Sequence, residues 1–200
     1  MTDDVPWLDA DERATWISFN AMLQTLQAAL DAQLKRDAGI NVFEYSVMAA
    51  LSESPGRVMR MSTLAVFAQG SLSRLSHAVS RLERSGWVER RPSADDPRST
   101  EAHLTAAGLR KVQQSAPDHV RAVRQHVFDP LTTAQAAALG RISREILAAT
   151  SPDVSDEVAR RISIADYRKE QGLEEYDELA RGWRQLVLKR AWERSMWSCI

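Results

Sequence analysis

The sequence predicts a mainly α-helical protein carrying a small β-hairpin wing: a winged helix-turn-helix set between longer N- and C-terminal helices, with a further helical extension at the C-terminal end. Three observations carry the prediction. Apolar residues recur at steps of three and four along most of the chain, which is the helical period. Two short helical segments, Met61–Phe67 and residues 72–85, are separated by the tight break Ala68-Gln69-Gly70. Two β-compatible runs, 88–91 and 102–104, enclose a Pro-, Ser- and Asp-rich loop, the pattern of a hairpin whose loop projects.

Each element has its own signal. Asp9 and Glu12 have capping-box spacing, and Trp16, Phe19, Leu23, Leu26, Leu30 and Leu34 follow on one face, so a long amphipathic helix should end near Gly39. A second helix is expected over residues 42–51, stopped by Ser54, Pro55 and Gly56. Ser71 is a natural N-cap for the helix at 72–85, and Gly86 sits where a C′ glycine belongs. Thr105 should cap a helix from Ala106 that Pro117 breaks or kinks. Thr132 and Gln135 repeat the capping-box spacing, and Leu139, Ile142, Ile146 and Leu147 share the face that follows. Ser151 and Pro152 mark a boundary. Beyond it, 153–171 and 173–198 read as two more helices around Gly172, the second acidic early and basic late, as the helix dipole favours.

Composition excludes several classes. The chain has 200 residues, 26 Lys plus Arg and 27 Asp plus Glu, for a net charge of −1. That rules out coating nucleic acid by bulk charge and leaves room for a local basic face. No run approaches the ~18 apolar residues of a membrane span. The acidic start, from Met1 to Pro6, lacks the apolar stretch of a secretory signal. The single cysteine, Cys199, has no internal partner and reads as a passive thiol. A cytoplasmic location, with no membrane partner, is the expectation.

The chemistry concentrates between residues 57 and 105. A helix capped by serine presents backbone N–H groups and a positive dipole to phosphate. On that helix Leu72, Leu75, Ala78, Val79 and Leu82 should form the buried stripe, with Ser73, Arg74, Ser76, His77, Ser80 and Arg81 pointing away. Short polar groups and long cations on one face can read base edges and clamp phosphates. From Gly70 to Arg91 there are five arginines (Arg74, Arg81, Arg84, Arg90, Arg91) against two glutamates (Glu83, Glu89). In the hairpin loop, Asp95-Asp96-Pro97-Arg98 sets an arginine at the wing tip, where it can enter a narrow minor groove. Asp96 is expected to hold that guanidinium as a bidentate partner.

Four stretches together resemble the MarR family of transcription regulators: Arg60-Met61-Ser62-Thr63-Leu64-Ala65, the run from Ser71 to Arg90, Asp96-Pro97-Arg98-Ser99, and Leu104-Thr105-Ala106-Ala107-Gly108. The resemblance extends over residues 5–150 and stops near Pro152. It implies a homodimer with interlocking N- and C-terminal helices. It also implies two lobes that read a pseudo-palindromic double-stranded DNA operator, often as a repressor released by a small molecule or oxidant. By position, Ser73, Arg74, Ser76 and His77 would face bases, Arg98 would be the wing arginine and Asp96 its partner. Ser71 and Arg81 join the expected DNA-binding set, and Arg60 beside Arg57 would meet a phosphate. Many members carry arginine where this chain has His77, and a Thr or Ser cap where it has Arg60. The implied division is a dimerisation helix in 1–40, a DNA-binding lobe in 41–105 and dimerisation helices in 106–152. Residues 153–200 have no counterpart in the family plan. Family effectors often sit between the dimer helices and the lobe, which makes Trp16, Phe19, Phe43, Tyr45 and Met48 candidates for a pocket, against the alternative of core packing.

Other chemistries lack support. His119 and His126 lie seven apart and read as surface or interface histidines rather than metal ligands. No phosphate-binding glycine loop, Gly-x-Ser-x-Gly or His-Glu-x-x-His occurs. Ser73 and His77 share an exposed face with no buried acid in sequence reach to orient the imidazole. No catalytic, metal or cofactor role is expected. The rival to a DNA-binding regulator is a protein-interaction module that docks through the lobe and the 153–200 helices.

Overall fold

The computed structural model describes residues 5–156 apart from 69 and 95, together with residues 158, 159 and 162. Helix α1 (Ala10–Ala38) begins with the expected capping box: the Asp9 carboxylate accepts the Glu12 N–H at 2.8 Å, and Glu12 accepts the Asp9 N–H at 3.0 Å. It ends at Gly39, whose φ of 67° is the left-handed C-cap conformation. Helix α2 (Val42–Glu53) runs past the expected Leu51 and has a capping box of its own, Asn41 with Glu44.

The hairpin is part of a larger sheet than expected. Strand β1 (Val58–Arg60) pairs with β3 (Thr100–Leu104), which also pairs with β2 (Val88–Pro92), in the order β1-β3-β2 and all antiparallel. β1 has no local signal, because a three-residue strand is held by its distant partner and not by its own pattern. Between β1 and β2 lie α3 (Met61–Phe67) and α4 (Leu72–Arg84).

Helix α5 (Ala106–Val123) is not broken by Pro117. One N–H is lost there, but Leu109, Val112, Ala116 and Val120 bury the helix on both sides of the proline. The start of α5 is clamped to the turn between α4 and β2. Thr105 Oγ1 accepts the Gly108 N–H at 3.0 Å and donates to the Gly86 carbonyl at 2.7 Å. A Cβ on Gly108 would stand 2.1 Å from the Trp87 carbonyl oxygen, so this close approach requires glycine. A π-helical turn, Arg124–Phe128, leads towards α6 (Thr133–Thr150), capped as expected by Thr132 and Gln135.

The core lies under the sheet and α4. Leu34, Val47, Met48, Leu51, Leu64, Leu75, Val79, Leu82, Val88 and Val112 bring all five of α1 to α5 together with β2. Helix α6 contributes nothing to it: none of its residues is buried. Among the described residues no helix is long and apolar enough to cross a membrane. Of the helices expected over 153–171 and 173–198, residues 153–156, 158, 159 and 162 are described and helical; the rest, and Cys199, lie outside the described residues.

Candidate nucleic-acid interface

Helix α4 stands with one face on the core and one in solvent. Ser71 caps it by accepting the Arg74 N–H at 3.2 Å. Leu75, Ala78, Val79 and Leu82 are buried; Ser73, Arg74, His77 and Arg81 are exposed, and Ser76 and Ser80 are half-buried. Leu72 departs from the expected stripe and is 57% exposed. At 100° per residue it lies about 70° from the centre of the buried stripe, in the first turn, where the core does not cover it.

Pairing redistributes the local positive charge. Arg81 Nε sits 2.5 Å from Glu44 Oε1, so it is committed to a nearly buried carboxylate and is not a free cation. The partner is 37 positions away, which is why composition within the helix did not show it. Arg90 pairs with Glu83 and Arg91 with Glu89. Arg74 lays its guanidinium 4.3 Å over the Phe43 ring, a cation–π contact on the α2 side of the helix. Arg57, just before β1, and Arg60, its last residue, are exposed, Arg57 with a left-handed φ of 60° that is uncommon for a non-glycine residue. Helix α3 has no side-chain cap, as its Arg60 start predicts.

The wing tip differs from expectation in one bond. Asp96 Oδ1 accepts the backbone N–H of Arg98 at 3.0 Å, and does not clasp its guanidinium. A carboxylate reaches the N–H two residues on as a local turn, ahead of the distant end of an arginine. Ser99 Oγ donates to the Asp96 carbonyl at 3.0 Å and completes the turn. Among the described residues the Arg98 guanidinium has no hydrogen bond or ion pair.

One arginine to which the sequence assigns no site role is central here. Arg90, on β2, reaches back across α4. Its Nε and Nη2 donate to Glu83 Oε2 at 3.0 and 2.6 Å, Nη2 also to Ser80 Oγ at 2.9 Å, and Nη1 to Ser76 Oγ at 3.3 Å. Glu83 also accepts the Arg90 backbone N–H at 2.9 Å. The Arg90 side chain, hydrogen-bonded to it, holds the Glu83 carboxyl below its ordinary pKa against the opposing effect of burial. Only the turn between helix and strand brings these groups together.

The five pocket candidates do not converge. Trp16 is 54% exposed and packs on Phe19 at 6.4 Å between ring centroids; Tyr45 and Met48 belong to the core. Only Phe43 among them lines the described cleft, a space of about 920 Å³ between α1, the start of α2, the end of α3 and the flank of α4. Asp31, Lys35, Arg74, His77 and Arg81 edge it. His126 is exposed, but His119 is buried, against expectation. Its Nδ1 lies 3.2 Å from Gln33 Oε1 and its ring 4.6 Å from that of Tyr45, and burial lowers its pKa. Among the described residues no group of His, Cys, Asp or Glu is arranged to hold a metal ion.

Comparison with known proteins decides the family. The MarR family model matches residues 40–100. Sco3205, a MarR family transcriptional regulator from Streptomyces coelicolor whose crystal structure is in complex with DNA, matches with a TM-score of 0.73 and 43% identity, over 76% of this chain and 95% of that one. The chain belongs to the MarR family. A second MarR family regulator from Streptomyces coelicolor, AbsC, matches with a TM-score of 0.64 and 34% identity, over 71% of this chain and 98% of that one. The transcriptional repressor MprA of Escherichia coli (strain K12) is 26% identical over 109 residues, 54% of this MarR-family chain. The chain spans 61% of the length of that curated relative.

Proposed function

We propose that this MarR-family chain is a sequence-specific, double-stranded DNA-binding transcription regulator that works as a homodimer. The observation that carries the reading is the outer face of α4. Ser73, Ser76, His77 and Ser80 stand over an apolar underside, on a helix capped by Ser71 and beside a wing tipped by Arg98. Such a face offers donors and acceptors to major-groove edges, and such an arginine suits a narrow minor groove. Arg74 would join the base contacts by leaving Phe43. Arg57 and Arg60 would meet phosphates, and Arg81 would do so only by releasing Glu44. The structure of Sco3205 in complex with DNA supports the reading, and MprA, a repressor by name, favours repression.

Two uncovered faces support the dimer. Helix α6 exposes Ile142 and Ile146, and α1 exposes Trp16, Ile17 and Leu23. Apolar stripes that one chain leaves open are what a two-fold partner buries. In this division 1–40 and 106–152 supply the dimer, 41–105 reads DNA, and 153–200 is an appendage without an assigned role. The cleft gives effector control a physical place: a small molecule there would touch Arg74, His77 and Arg81 and so bias α4. The reading assigns no catalytic step, no metal and no cofactor, and sets the regulator in the cytoplasm.

Selection from a randomised duplex library tests it. The enriched sequence should be a pseudo-palindrome with half-sites about 10–10.5 bp apart, or a multiple of that. Its affinity should fall steeply with added salt. No enrichment of any sequence would overturn the reading in favour of a protein-interaction module.

A further inference from the structure

We propose that Arg90 is a positioning residue for DNA reading: it fixes the hydroxyls of Ser76 and Ser80 on α4 as hydrogen-bond donors directed outward. The inference rests on the DNA-binding reading above and deepens it.

A serine hydroxyl can donate or accept, so on a bare helix it carries little sequence information. Its common resting place is the carbonyl four residues back. Ser18, Ser85 and Ser115 do this, donating to Ala14, Arg81 and Lys111 at 3.0, 3.3 and 2.8 Å. Ser76 and Ser80 make no such bond among the described residues. Each instead receives an N–H from Arg90, at 3.3 and 2.9 Å. A guanidinium has no acceptor, so the proton of each hydroxyl must turn away from it. The guanidinium occupies the wing side of the helix; the core occupies the underside. The direction left open is outward.

Arg90 is itself held for this task. Two of its N–H groups are taken by Glu83, which also binds its backbone N–H. Its charge is thereby matched, which separates it from a free phosphate clamp. Hydroxyls restricted to donation favour base acceptors such as N7 of a purine, O6 of guanine or O4 of thymine. They disfavour the amino groups of cytosine and adenine. Arg90 would thus convert two ambivalent serines into specificity determinants without touching DNA.

The test takes the duplex that the wild-type protein enriches from a randomised library and measures affinities for all its single-base variants. For wild type we expect preferences of about tenfold at the positions under the middle of α4. Arg90→Met should flatten the same positions that Ser76→Ala or Ser80→Ala flattens, and should change nothing further in the doubly substituted serine background. The salt slope should stay at its wild-type value. Arg90→Lys, which keeps the charge but not the fork, should behave as Arg90→Met does and covers the case in which the methionine variant fails to fold. A uniform loss of affinity with a shallower salt slope would make Arg90 a phosphate contact and overturn the proposal. So would an equal effect of Arg90→Met with and without the serine hydroxyls, serine variants that flatten no position, or wild-type preferences in Arg90→Lys. A wild-type protein that enriches no duplex overturns the DNA-binding reading itself, and this assignment with it.

Discussion

The lobe between Asn41 and Thr105 and the helices that flank it share one apolar period and meet opposite fates. In the lobe, Met48, Leu51, Leu64 and Leu75 are fully buried against one another. In α6 the same spacing leaves Ile142 52% and Ile146 41% exposed. Helix α1 divides within itself: Leu34 is in the core, while Trp16 and Ile17 are more than half exposed. Periodicity says that a face will be covered, not by what. The lobe is satisfied inside one chain, whereas α6 and the first half of α1 leave an apolar face open, the face that the proposed dimer would cover.

Four variants, one of them a double substitution, probe that contrast. The largest effect belongs to the lobe. Leu75→Ala should cost about 2–5 kcal/mol of folding stability, measured by chemical denaturation, because it opens a cavity in a closed core. Ile142→Glu with Ile146→Glu should leave the lobe folded yet weaken self-association by about 2 kcal/mol or more, read by sedimentation equilibrium. An unchanged association constant would show that α6 faces something other than its own copy.

His119 joins α5 to α1 and α2, and its effect is set by pH. Its folded pKa lies below the ordinary 6.5, so on acidification the unfolded chain takes up the proton first. Stability should therefore fall as pH drops below 6.5 towards the folded value, with a slope from this group of at most about 1.4 kcal/mol per pH unit. His119→Gln should remove that component of the slope in denaturation curves taken across the window. The smallest effect is the control: Leu72→Ala, three residues before Leu75, should change stability by no more than about 0.5 kcal/mol, since its side chain is already exposed.

Legibility in the sequence followed how local the cause was. The limits of α3, the Ser71 cap and the capping boxes of α1 and α6 depend on neighbours within a turn, and they could be read directly. β1 could not, because Val58 is held by His103, across 45 positions. The pairing of Arg81 could not be read either, because Glu44 lies on another helix. Asp96 accepts a backbone N–H where a guanidinium is expected, since its spacing from Arg98 serves a backbone turn as well as a clamp. The Arg90 network was invisible because it crosses from a strand to a helix through the Gly86 turn.

If α4 and the wing form a DNA-reading surface, the double variant Arg74→Ala, Arg98→Ala should lose both discrimination and affinity. In a fluorescence anisotropy titration with the duplex enriched by wild type, loss of Arg74 should cost about 1–3 kcal/mol of discrimination if it reaches a guanine. Loss of Arg98 should lower affinity for every sequence and flatten the salt slope by about one contact. Wild-type affinity and an unchanged salt slope in the double variant would show that α4 and the wing do not read DNA.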